Sequence, residues 1–298
     1  MRQYHLERVL VVGCGYVGRR LGRQLRTGDV PVTGLVRSDA SAAALRGVDI
    51  APLQLDLDQA LPAGALPAAG RELYYFAPPP PEGDGDPRLA RVLEQLQPGN
   101  LPRRIVYIST SGVYGDSGGD WIDESFPLNP GTPRGRRRLA AEQALQAWSE
   151  QTGVAVVILR VPGIYGPGKL PLERIRQGLP ILREEDCPYT NRIQVDDLIS
   201  ACCAAMERGE PGAAYNVADG HPSTMADYFA CIAKAAGLPP PPTVTRAEAP
   251  EKLSRGMQAF MNESKRLDNR RLREELGVEL QYPDLEAGLA ACFAEEAK

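Results

Sequence analysis

Histidine is nearly absent from this chain: His5 and His221 are the only two in 298 residues, which excludes a multi-histidine metal centre and argues against a Ser-His-Asp site. The six cysteines, at 14, 187, 202, 203, 231 and 292, lack both the paired spacing of a zinc site and the density of a disulfide framework. They read as reduced core thiols of a cytoplasmic protein. Residues 1–8 are too polar, and the apolar run after them too short, for a signal peptide or a membrane span. Excess positive charge is missing too, since a net charge of -4 gives no general attraction to nucleic acid or to an anionic membrane. The one dense basic run, Arg134-Gly135-Arg136-Arg137-Arg138, has no aromatic residues interleaved to stack bases. Lysine is scarce, five against 29 arginines, and none precedes Lys169; no tyrosine lies between Tyr114 and Tyr165.

What is present begins with a strand, a glycine turn and a helix. The run Val9-Leu10-Val11-Val12 leads into Gly13-Cys14-Gly15-Tyr16-Val17-Gly18, and a helix-like segment follows over 19–25. A buried strand delivers the chain to a tight turn at Gly13, Gly15 lets the backbone approach a pyrophosphate, and Gly18 permits close helix packing. The amides of this turn, Tyr16 and Val17 included, then face the anion. These five residues are the first cofactor-binding candidates.

Short β-branched runs at 9–12, 30–36, 72–76, 105–109 and 154–161 alternate with helical segments at 38–46, 87–96 and 138–152. Such alternation predicts an α/β fold, a Rossmann-like doubly wound parallel sheet with right-handed crossovers. Beyond about residue 167 the pattern loosens into Gly-Pro breaks, helices at 198–207 and 225–236, and four prolines at 239–242. The expected organisation is a dinucleotide-binding domain over 1–166, with 193–217 returning to it, and a smaller C-terminal substrate lobe from 167–192 and 218–298. Pro78 to Pro81 form a loop directly after a sheet strand, where doubly wound folds place ligands. The second strand ends Leu35-Val36-Arg37-Ser38, a cation where NAD-preferring sites usually carry an acid. Arg37 suits the 2'-phosphate of NADP; the alternative is a surface arginine, with Asp39 serving the ribose of NAD.

Several segments together resemble the extended short-chain dehydrogenase/reductase family, the NAD(P)-dependent sugar-nucleotide epimerases and dehydratases. Ile108-Ser109-Thr110-Ser111-Gly112-Val113-Tyr114-Gly115-Asp116 is similar to the family's active-site strand and turn, and Leu159 to Gly168 to its nicotinamide-side loop. Ile193-Gln194-Val195-Asp196-Asp197-Leu198 resembles a later strand-to-helix motif, Tyr215-Asn216-Val217 a following strand, and 269–277 a C-terminal helix. The glycine turn departs from the family's longer spacing and has the form of its atypical members. Family catalysis depends on a tyrosine four residues before a lysine, on one helical face, where the ammonium lowers the phenol's pKa. With Pro133, Gly135 and Glu142 in the expected places, those two positions are Arg134 and Arg138. A guanidinium is neither a general base nor a sensible proton donor, though Arg134 can hold an anionic group and Arg138 can donate to a ribose.

The resemblance assigns Thr110 to the hydroxyl that contacts the reacting oxygen, with Ser111 and Gly112 where dehydratases carry an acid pair. It places Pro162 and Gly163 beside the nicotinamide and Asp56 at the adenine, though Asp56 serves equally as a turn cap. Thr190 occupies the position of a diphosphate-binding arginine, for which Arg192 is the candidate substitute, one strand period away. Lys265 and Arg266 form another anion candidate, Tyr165 a packing residue, and Asp197 an N-cap for the helix near Leu198. Ser38 completes the cofactor set. Two functions follow: an NADP- or NAD-linked epimerase- or reductase-like enzyme on a nucleotide sugar or related polar substrate, possible as a homodimer, or a non-catalytic dinucleotide-binding or redox-sensing protein. No nucleic acid, membrane or metal partner is expected.

Overall fold

The computed structural model describes residues 6–296; His5 and most of the polar N-terminal segment lie outside them. Seven strands make one parallel sheet: β1 (Val9–Val12), β2 (Val32–Val36), β3 (Ala51–Gln54), β4 (Glu72–Tyr75), β5 (Arg104–Thr110), β6 (Ala155–Val161) and β7 (Ala214–Asn216). Their spatial order is 3-2-1-4-5-6-7, so the chain winds outward from β1 in both directions and the topological switch falls between β1 and β4. This is the expected Rossmann-like architecture. The strand the sequence reading passed over is β3, whose Pro52 lacks a ladder donor and is tolerated because β3 forms the sheet edge.

Helices cover both faces. On one side α1 (Tyr16–Arg26), α2 (Asp39–Arg46) and α5 (Val195–Arg208) bury Leu21, Leu25, Leu45 and Leu198 against Val9, Val11 and Val157. On the other, α3 (Pro87–Gln95) and α4 (Pro133–Thr152) bury Leu89, Val92 and Leu145 against Leu10, Tyr75 and Ile158. Successive strand side chains alternate between these two cores, as the pleat requires. The helix expected from residue 138 begins at Pro133, because Thr132 caps it by accepting from the Gly135 amide and Pro133 fits a first helical turn.

The remaining elements gather around a separate apolar cluster that includes Ile175, Ile181, Phe229, Ile232 and Leu289. Helices α6 (Met225–Ala235) and α7 (Leu285–Glu296) build it. Short pairs fasten it to the sheet side: Gly163–Tyr165 runs parallel to Arg192–Gln194, and Trp121–Ile122 parallel to Arg266–Leu267. The far end is also tied back. Glu295 on α7 pairs with Arg20 on α1 at 2.6 Å, and Glu296 accepts from the Gly168 amide at 2.6 Å. All six cysteines are free, four of them buried. No helix among the described residues is long and apolar enough to cross a membrane.

Candidate functional site

The first rim of the site lies over the C-terminal ends of β1, β2 and β3. Gly13 has φ +83°, and a Cβ there would stand 2.4 Å from the Ala77 amide nitrogen, so only glycine fits the turn. A Cβ on Gly18 would lie 3.0 Å from Val11 Cγ1, which is how α1 reaches β1 so closely. Gly15 faces open space. It also caps α1 without a side-chain hydrogen bond, and the first turn, Tyr16 and the half-buried Val17 included, carries no acid. The first amides of α1 therefore keep their donors and the positive end of the helix dipole free for an anion. Beside them opens a cavity of about 360 Å³ lined by Gly13, Gly15, Arg37, Asp56, Ala77 and Pro78. The open Gly15 cradle and the uncapped helix fit a dinucleotide pyrophosphate.

Arg37 is exposed on this rim, its guanidinium 3.7 Å from Asp58, whose carboxylate is already gripped by Arg88 at 2.6 Å. The Arg88 hydrogen bonds hold the Asp58 carboxyl below its ordinary pKa. Neither Asp58 nor Arg88 was singled out in the sequence, because their meeting spans 30 residues and no local pattern announces it. Ser38 caps α2, accepting from Ser41 at 3.3 Å. Asp56 closes a turn by accepting from the Asp58 amide at 3.0 Å. Tyr16 donates to the Pro167 carbonyl at 2.9 Å and so ties the glycine turn to the loop after β6.

The second rim lies over β5 and β6, where Thr110 stands in register with Val161. Thr110 Oγ1 accepts from the Gly112 amide at 3.2 Å, and Ser111, half-buried, opens a 3-10 turn over Ser111–Val113. The start of α4 presses on that turn: a Cβ at Gly135 would sit 2.6 Å from the Gly112 carbonyl. Arg134 is the residue before Gly135, in the first turn of α4. Arg134 is exposed and makes no ion pair or side-chain hydrogen bond among the described residues. Partial desolvation and the charges of Arg138 and Arg137 hold its guanidinium below the usual value.

Arg138 behaves differently. It is buried, with Nη1 donating to the Tyr107 hydroxyl and the Ile108 carbonyl, each at 3.0 Å, and its guanidinium lies over the Tyr107 ring. Burial pushes the Tyr107 phenol up to about 12, so it stays neutral. The guanidinium is thus turned into the sheet. Behind both residues, Glu142 on α4 pairs with Arg160 on β6 at 2.9 Å and accepts from Ser109. Arg160 donates to the Tyr114 hydroxyl at 3.1 Å, which donates to Asn216 at 2.7 Å. This buried network fixes α4 to β5, β6 and β7.

Arg192 is buried directly opposite Gly163 in the parallel pair, and Pro162 is half-buried at the end of β6. Lys265 and Arg266 are committed elsewhere. Lys265 pairs with Glu263 at 2.7 Å, and Arg266 donates to the Gly119 carbonyl at 2.6 Å between the exposed rings of Trp121 and Tyr189. The helix expected near Leu198 starts at Val195 with Gln194 as its cap, so Asp197 is not the N-cap. Asp197 instead accepts from the amides of Gln281 and Tyr282, at 2.8 and 3.0 Å. Tyr165 is fully packed. Asp219, buried behind Arg192, is pushed up to about 6 by desolvation against a hydrogen bond from the His221 amide.

Residues 88–218 match the model of the NAD dependent epimerase/dehydratase family. Protein YeeZ of Escherichia coli is 29% identical over 295 residues, spanning 94% of this chain and 97% of that protein. The dTDP-D-glucose 4,6-dehydratase of Homo sapiens is 31% identical over 122 residues, 38% of this chain and 35% of the relative. Among solved structures, a functionally unknown conserved protein of Silicibacter pomeroyi is 34% identical with a TM-score of 0.85, covering 97% of this chain and 99% of that one. UDP-glucuronic acid 4-epimerase from Bacillus cereus, solved with NAD, has a TM-score of 0.78 at 18% identity, covers 96% of each chain, and shares the fold.

Proposed function

Because residues 88–218 match the NAD dependent epimerase/dehydratase family, we propose that this chain is an extended short-chain dehydrogenase/reductase, a dinucleotide-dependent enzyme of epimerase or reductase type acting on a nucleotide sugar or related polar substrate. The observation that carries the reading is the pairing of an uncapped, acid-free α1 start with an open Gly15 beside a cleft of about 360 Å³. The turn at Gly13, Gly15 and Gly18 holds the pyrophosphate, Asp56 meets the adenine, and Ser38 with Arg37 takes the 2'-phosphate, which favours NADP over NAD. Pro162 and Gly163 line the nicotinamide end. When bound, the cofactor supplies hydride exchange with a carbinol carbon.

The chain's own residues then orient and polarise. Thr110 directs its hydroxyl at the reacting oxygen, and Ser111 or a water it holds supplies the proton. Arg134, exposed and without an ion pair among the described residues, stabilises the oxyanion at a position where a tyrosine would have exchanged a proton. Arg138 is a positioning residue, since its donors brace β5 through Tyr107 and Ile108. The test is oxidation of NADPH by purified protein with keto-sugar nucleotides. Thr110→Ala is expected to abolish turnover while leaving cofactor affinity nearly unchanged.

One observation favours a second reading. With Arg138 spent on Tyr107 and no proton-exchanging side chain at position 134, a dinucleotide-binding sensor without turnover fits the same geometry. Tight NADPH binding with no oxidation across the substrate panel selects the sensor. Failure to bind either dinucleotide defeats both.

A further inference from the structure

Tyr16 has two cations at its ring, and they are not in the same state. The Arg20 guanidinium carbon lies 5.4 Å from the ring centre and is held there by Asp196 at 3.1 Å and Glu295 at 2.6 Å. The Lys169 ammonium lies 5.3 Å from the same ring centre, is exposed, and makes no ion pair or side-chain hydrogen bond among the described residues. One cation is therefore spent on the scaffold and the other is spare.

The backbone fixes where this lysine stands. Residues 166–169 form a tight turn closed by the Lys169 amide, which donates to the Gly166 carbonyl at 3.0 Å. The turn is pressed onto its neighbours, since a Cβ at Gly166 would lie 2.4 Å from the Tyr16 hydroxyl oxygen and 2.6 Å from Val195 Cγ1. Tyr16 donates to the Pro167 carbonyl at 2.9 Å, and the Gly168 amide donates to Glu296 of α7 at 2.6 Å. Ties to α1 and α7 thus hold the turn beside Tyr16, the first residue of α1. The ammonium rests on the side chain that opens the very helix whose leading amides are free for an anion. An exposed cation–π contact is weak and the four-carbon stem of lysine is flexible, so the ammonium can leave the ring for a stronger partner. A phosphate is such a partner, because both members of the hydrogen bond are then charged.

We propose that Lys169 leaves the Tyr16 ring when the dinucleotide binds and pairs with its pyrophosphate, so that the cofactor is held from outside the glycine turn as well as by it. The proposal rests on the dinucleotide-binding reading above and adds a residue to it. It also separates two cationic duties. Arg37 meets the 2'-phosphate, which only NADP has, whereas Lys169 meets the pyrophosphate, which NADP, NAD and ADP-ribose share.

The experiment is calorimetric titration of the full chain with NADPH, NADH, ADP-ribose and adenosine at low and high salt. Lys169→Met is expected to weaken NADPH, NADH and ADP-ribose alike, by about tenfold, and to leave adenosine within about twofold. It is also expected to flatten the salt dependence of the three ligands that carry the pyrophosphate. Lys169→Arg keeps the charge and is expected to recover most of the affinity. The melting midpoint of unliganded Lys169→Met should stay close to the wild-type value, because the side chain is exposed. A second readout is spectroscopic and uses the scarcity of lysine, of which the chain has five. After reductive methylation with isotope-labelled methyl groups, the Lys169 signal, assigned by its loss in Lys169→Met, should begin displaced by the ring current of Tyr16 and move toward the position of a free lysine under saturating ADP-ribose. Unchanged ADP-ribose affinity in Lys169→Met overturns the proposal. An equal loss for adenosine overturns it too, since the lysine would then act on the shape of the turn, as does a Lys169 signal that saturating ADP-ribose leaves in place. A wild-type protein that binds neither dinucleotide nor ADP-ribose sinks the dinucleotide reading itself, and the role of Lys169 with it.

Discussion

The two rims of the sheet hold arginine in opposite ways. Over β1 to β3, Arg37 and Arg88 share the single carboxylate of Asp58, so Arg88 is paired at 2.6 Å while Arg37, largely exposed at 3.7 Å, leaves one positive charge over for an incoming phosphate. Over β5 and β6, Arg134 makes no ion pair among the described residues, while Arg138 donates to Tyr107 and Ile108. Both rims thus carry a cation that is open to solvent, but only the first sets it beside a carboxylate. The difference teaches that two arginines four residues apart on α4 need not be equivalent cations. Burial turned one into a brace and left the other free.

The comparison can be broken at its foundation. Glu142→Ala would strand Arg160 without a partner in the buried network behind Thr110, and breaking such a pair costs about 3–5 kcal/mol. Chemical denaturation should register that loss; a change below about 1 kcal/mol would mean the second rim does not depend on this scaffold. At the other rim, Gly13→Ala forces a side chain into positive φ and against Ala77, and is expected to cost about 1–3 kcal/mol and to remove dinucleotide binding in a fluorescence titration.

A pH experiment sharpens the electrostatic side. Burial raises Asp219 from an ordinary carboxyl value to about 6, so its neutral form is favoured in the folded state. Its contribution to stability is fully present below about pH 4 and is lost as pH rises through about 6. Asp219→Asn should flatten that window and raise stability above it by about 1–3 kcal/mol, as read from melting curves at several pH values. Equal pH profiles would remove Asp219 from the account. The smallest effect is expected at Arg37→Ala, which should weaken NADPH by about tenfold and NADH far less, because only NADPH has the phosphate. Parallel losses would argue for Asp39 and NAD.

Much of the scaffold was legible because it is periodic. The buried runs that became β1, β2, β4, β5 and β6 need no partner to be recognised, and Gly13 and Gly18 announce the turn by spacing. β3 was missed because its four residues include Pro52, a residue that argues against a strand unless the strand is known to be an edge. The start of α5 was misread for a related reason: Asp197 has the chemistry of a cap, but its partners are amides 84 and 85 residues away. The candidate site shows the same division. Sequence located Arg134, Arg138 and Arg192, while the fact that decides what each can do, whether its donors are spent, depends on Tyr107, Thr190 and Tyr228, which are joined only by the fold.

The clasp between Arg20 and α7 has a consequence for the order in which the protein is made. The two residues of the clasp lie 275 residues apart in sequence. A nascent chain can lay down β1 and the turn early, but α1 gains its full set of partners only after all the intervening residues and α7 itself have been made.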